Sequence, residues 1–143
     1  MTAKEYLSRA FEMDRRINIK IEQLKQLRDL STQCTSVLSD MPKAKGAKQR
    51  LEETVCKIAD FETDLNADID ALVDAKREIE CVIDTVPDMT QRMLLQMRYL
   101  TFRSWDDIAH SLCVSYNHVF KIHRAALNFL DENQKWIVGD SAE

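Results

Sequence analysis

At 143 residues with a net charge of -4, the chain has room for one domain or two small ones. Only two glycines and two prolines stand among abundant Leu, Ile, Ala, Glu, Asp and Lys, so the chain reads as almost entirely helical. It holds no apolar core of leader-peptide length and no run of about eighteen apolar residues, which argues against secretion and a membrane span and for a soluble, cytoplasmic protein. Cys34, Cys56, Cys81 and Cys113 are widely scattered with no Cys-x-x-Cys pair, so buried free thiols are expected and neither a metal nor a cofactor is.

Thr2 and Glu5 form a Thr-x-x-Glu capping box, so the first helix should begin almost at the start. From Tyr6 to Met41 the three-four spacing of Ala10, Met13, Ile17, Leu24, Leu27, Cys34 and Leu38 makes a heptad seam, interrupted by Lys20 and Ser31. The segment Asp40-Met-Pro-Lys-Ala-Lys-Gly-Ala-Lys then reads as a loop. Pro42 lacks an amide donor, and Gly46 allows a bend.

A second seam runs from Leu51 to Val86 through Val55, Ile58, Glu62, Leu65, Ile69, Leu72, Lys76, Ile79 and Ile83. Equal lengths around a short loop predict a long antiparallel helical hairpin, a coiled coil of roughly 54 Å per arm. If Met41 faces Leu51, Glu62 falls near Arg28 and Lys76 near Asp14. Leu7, Ile21, Leu30, Phe61 and Val73 lie off the seams and need cover, so residues 1–86 are expected to self-associate, as a dimer first. The Asp-rich face from Asp60 to Asp84 reads as solvated helix surface.

Val86-Pro87-Asp88 marks a boundary, because Pro87 disfavours helix at Val86 and Asp88 or Thr90 can cap the next helix. Residues 90–100 form a packing helix. In Ser104-Trp-Asp-Asp-Ile-Ala-His-Ser-Leu-Cys-Val-Ser-Tyr-Asn-His-Val-Phe-Lys-Ile-His, two short helices must cross. Ala109 allows close approach, Cys113 and Val114 turn, Ser115 caps, and Val119 and Ile122 face back. This is a helix-turn-helix pattern, although its turn puts Cys113 where glycine is usual. The outward face of its second helix carries Tyr116, Asn117, His118, Lys121 and Arg124, donors suited to phosphates and base edges. No Asp or Glu occurs between Asp107 and Asp131, while His110, His118 and His123 join Lys121 and Arg124 in a local cationic face. The fold expected is thus all-α: the hairpin in residues 1–86, then a three-helix helix-turn-helix domain in 87–143 whose last residues fray.

Arg92-Met-Leu-Leu-Gln-Met-Arg-Tyr-Leu, the Ser104–Ser115 stretch and Val119-Phe-Lys-Ile-His-Arg-Ala-Ala-Leu together resemble region 4 of bacterial primary-type sigma factors. Essentially end to end, including Met1-Thr-Ala-Lys-Glu-Tyr-Leu and Leu38-Ser-Asp-Met-Pro, the chain is similar to a family of small phage and prophage proteins of Gram-positive bacteria. Its members are described as transcriptional regulators, some of them activators of late phage genes. The resemblance implies a DNA-binding regulator in the host cell's cytoplasm. Tyr116, Asn117, His118 and Lys121 would enter the major groove of double-stranded DNA beside Ser115, and Arg124 and Arg103 would touch phosphate. Phe120 departs from sigma factors, where a polar residue is usual, and so is expected to meet a thymine methyl or a partner protein.

No histidine has a paired nucleophile or carboxylate at a convincing spacing, so an enzyme is not expected. Two rival readings stay open. One is a small-terminase-like initiator of DNA packaging. The other is an adaptor that grips RNA polymerase or another regulator through Phe102, Trp105 and Phe120.

Overall fold

A computed structural model describes residues 1–40 and 45–133, and every element among them is an α-helix. These are α1 (Ala3–Asp40), α2 (Lys45–Ile83), α3 (Met89–Tyr99), α4 (Trp105–Leu112) and α5 (Tyr116–Asn133). Among the described residues no helix is long and apolar enough to cross a membrane. Met41, Pro42 and the tail from Gly139 onward lie outside the described residues.

The caps are local and form as the sequence dictates. Thr2 N–H donates to Glu5 Oε2 at 2.9 Å and Glu5 N–H to Thr2 Oγ1 at 3.3 Å, so each satisfies an amide left free at the start of α1. Asp88 Oδ1 accepts from Gln91 N–H at 3.0 Å and starts α3, and Ser104 Oγ does the same for Asp107 N–H at 3.2 Å in α4. Gly46 lies within the first turn of α2 instead of forming the bend expected there. Amides in a first turn have no intrahelical partner, so a glycine costs less there than in a helix interior.

The chain divides into two compact units, one built from Met1–Met13 with the chain from Leu72 onward, the other from Asp14–Ala71. The division expected at Pro87 does not coincide with these limits. In the Asp14–Ala71 unit, the ion pairs Lys20–Asp68 and Arg28–Glu62 run in antiparallel order, the second as anticipated. Ile17, Leu24 and Leu65 are buried, and Lys20, Leu27, Ser31, Leu51, Thr54, Ile58, Phe61 and Asp68 are half-buried. The packed line of α2 is therefore Leu51, Thr54, Ile58, Phe61, Leu65, Asp68, which departs from the expected seam where Thr54 and Asp68 replace Val55 and Ile69, while Glu62 of that seam is half-buried like Phe61 and pairs with Arg28. Val55 and Ile69, assigned to that seam, remain 52% and 37% exposed. Hydropathy favours Val55 and Ile69 over Thr54 and Asp68, yet the inward line gains the Phe61 ring and lets Asp68 meet Lys20 across the seam.

In the other unit, Ala3, Leu7 and Ala10 of α1 are wholly buried, as are Ile79, Ile83, Val86, Leu94, Leu95, Ile108, Val119, Ala126 and Leu130. Leu7 thus needs no second chain to cover it, contrary to the surplus expected from its place off the seam. Asp131 Oδ1 accepts from Ala3 N–H at 2.7 Å, and Arg9 Nη2 donates to Glu78 Oε2 at 2.8 Å. Lys76, expected near Asp14, lies 4.9 Å over the ring of Phe102, while Asp14 accepts from Asn18. The core of α3, α4 and α5 thus shares its compact unit with the buried start of α1 and end of α2. Cys56, Cys81 and Cys113 are exposed free thiols, so the expectation of burial fails for these three.

Candidate nucleic-acid interface

Helix α4 stops where its backbone turns left-handed. Cys113 adopts φ 57 and ψ 41, its N–H donates to the His110 carbonyl at 3.2 Å, and Val114 N–H donates to the Ala109 carbonyl at 3.1 Å. These two bonds make the Schellman turn that normally carries glycine, built here on cysteine at a cost of about 1–2 kcal/mol. Two residues later Ser115 Oγ accepts from His118 N–H at 3.1 Å and opens α5. With Ile108 and Ala109 of α4 buried, Val119 of α5 buried and Ile122 half-buried, the two helices meet through the faces the sequence indicated.

Opposite that contact, Asn117, His118, Lys121 and Arg124 are exposed on one face of α5, and Tyr116 is 49% exposed at its start. The face continues to Asn128, four residues beyond Arg124 and likewise exposed, which the sequence reading missed although helical periodicity alone extends the stripe to it. No acidic side chain lies on α5 before Asp131, and its first turn holds none, so the positive end of the helix dipole is not offset there. Ser115 stands next to the stripe, with its hydroxyl engaged as the cap. Arg103 belongs to a different element, the connection from α3 to α4, where it donates to Ser111 Oγ at 3.3 Å.

Two residues differ from the sequence reading. His123 is buried, not part of a cationic face: its Nε2 lies 2.6 Å from the Tyr99 hydroxyl. Burial, then the nearby charges of Lys4 and Arg98, lower its pKa from 6.5 to about 4, so it is neutral at physiological pH. Burial likewise pushes Tyr99 up to about 12, so the phenol keeps its proton and can donate it to the imidazole. Phe120, expected to be free for a methyl group or a partner, is half-buried with its ring centroid 5.1 Å from Trp105 and 5.0 Å from Tyr116. Trp105 in turn meets His123 at 4.7 Å and carries the Arg98 guanidinium 4.4 Å over its ring. This aromatic cluster supports the exposed stripe from below. Among the described residues no group of three or more His, Cys, Asp or Glu side chains could hold a metal ion.

Residues 31–131 match the family model described as "Protein of unknown function (DUF1492)". The chain belongs to the DUF1492 family. No curated protein and no solved structure matches it. The DUF1492 region runs from the later part of α1 into α5 and takes in the entire exposed stripe.

Proposed function

We propose that this DUF1492 chain is a sequence-specific DNA-binding regulator of phage or prophage transcription. In this reading α4 and α5 form a helix-turn-helix whose second helix enters the major groove. The observation that carries it is the acid-free exposed stripe Asn117, His118, Lys121, Arg124 on a helix that begins immediately after a tight left-handed turn. Asn suits adenine, Lys suits guanine or phosphate, and Arg at the stripe's far end suits the backbone. The long helices α1 and α2 form an antiparallel coiled-coil hairpin that joins copies of the chain, and no catalytic step is assigned. Engagement of Trp105 and Phe120 with each other weighs against the adaptor reading, which needs both rings free to grip a partner. Genome-wide immunoprecipitation of the tagged protein tests the proposal. One sharp promoter peak supports it, a peak beside packaging genes favours the terminase-like alternative, and an absence of peaks overturns DNA binding.

A further inference from the structure

Helix α2 carries two adjacent lines, and the Asp14–Ala71 unit packs one while leaving the apolar residues of the other exposed. The second line holds Val55, Glu62 and Ile69 at seven-residue intervals, with the half-buried Glu62 engaged by Arg28. On α1 the matching flank holds Ile21 and Arg28, also seven apart. The Arg28–Glu62 ion pair fixes the two rows side by side, and one heptad along from it Ile21 and Ile69 stand level with each other, 46% and 37% exposed. With Val55 at 52%, this flank is an apolar surface crossed by one ion pair. The two helices are also charged in opposite senses. Residues 15–28 hold five basic side chains and one acidic, while Ala59–Ala71 holds five acidic and no basic.

We infer that this flank seats a second copy of the chain, related by a two-fold axis parallel to the helices. That axis lays α1 of one copy antiparallel to α2 of the other. The basic helix then meets the acidic one, Ile21 meets the partner's Ile69, and Arg28 meets the partner's Glu62. A two-fold axis across the helices would instead set acidic α2 on acidic α2, which repulsion disfavours. Over residues 14–33 and their α2 counterparts, a face two helices wide measures roughly 30 Å by 20 Å, or roughly 600 Å² per copy, which reaches the lower limit of stable interfaces. The inference names the surface by which the proposed coil assembles and does not depend on DNA binding.

Sedimentation equilibrium of the full chain at micromolar concentration should give a dimer. Ile69→Glu and Ile21→Lys should each weaken dimerisation by about 100-fold with helix content by circular dichroism unchanged, since each would bury an unpaired charge. Ile19→Glu, at a 55% exposed position off this flank, should leave the dimer intact. Mixing the Ile69→Glu and Ile21→Lys chains should restore a heterodimer, because one Lys–Glu contact replaces one Ile–Ile contact. A monomeric wild type, a dimer indifferent to both flank substitutions, equal loss with Ile19→Glu, or failure of the mixed chains to pair would each overturn the inference.

Discussion

The carboxylate of Asp131, near the end of α5, accepts a hydrogen bond from the backbone N–H of Ala3 at the start of α1. A negative side chain at a helix N-terminus satisfies an orphan amide and meets the positive end of the dipole. Here that cap is supplied by a residue 128 positions away in sequence, so it ties together the two ends of the described chain. Asp131→Ala should lower stability by about 1 kcal/mol, measured by chemical denaturation. An unchanged denaturation midpoint would mean that the contact contributes nothing.

The same unit sets the limits of dissection. Leu7, Ile79, Ile83 and Val86 are fully buried beside the buried side chains of α3, α4 and α5. Residues 87–143 alone should therefore lack a cooperative thermal transition, whereas a chain that joins residues 1–13 to 72–143 through a short linker should regain one. A sharp transition in the 87–143 fragment would show that the three short helices suffice as a core.

Acid should act through His123. Its folded pKa of about 4 lies below the ordinary 6.5, so the unfolded chain binds the proton more readily. The stability that His123 contributes is complete above pH 6.5 and is lost as pH falls from 6.5 to about 4, a change of about 3 kcal/mol. His123→Gln should flatten that part of the pH–stability curve. Tyr99→Phe should cost about 1–2 kcal/mol at neutral pH by leaving the buried imidazole nitrogen unpaired. Parallel acid profiles for wild type and His123→Gln would assign the acid sensitivity elsewhere.

At Cys113 the left-handed backbone costs more than it would for glycine. Cys113→Gly should raise stability by about 0.5–1 kcal/mol, because relief of native strain exceeds the added freedom of the unfolded chain. Cys113→Val, β-branched at φ 57, should lower it. Reversed signs in thermal melts would mean that the turn rearranges around the substitution.

What could be read from the sequence was what neighbouring residues settle among themselves. The Thr2–Glu5 box, the caps at Asp88, Ser104 and Ser115 and the exposed stripe of α5 each depend on side chains within a turn or two. Phase along α2 was not decided locally. Two lines, one through Val55, Glu62 and Ile69 and the other through Thr54, Phe61 and Asp68, both repeat at heptad spacing, and each meets a cation of α1, Glu62 with Arg28 and Asp68 with Lys20, so the sequence of α2 alone does not distinguish them. The burial of His123 is likewise a matter of other elements. Its place on α5 allowed a surface role, but Tyr99 and Trp105 from other elements enclose it.

The DNA-binding proposal separates by residue type when tested in the intact chain. Asn117 can read a base edge through paired donor and acceptor, so Asn117→Ala should relax preference at one base position by about 1–3 kcal/mol and leave non-specific affinity nearly unchanged. Lys121 and Arg124 act mainly through charge. Each replacement by Ala should weaken binding to all sequences and lower the salt slope by about one. Asn128, further along the stripe, can donate to a phosphate without charge, so Asn128→Ala should weaken binding modestly with no change in slope. Fluorescence anisotropy across a salt series, on the recovered site and a scrambled duplex, reads all four effects. If Lys121→Ala and Arg124→Ala leave both affinity and slope as in wild type, α5 is not the surface that meets DNA. His110 and Arg103, on the α4 side of the turn, then become the residues to replace next.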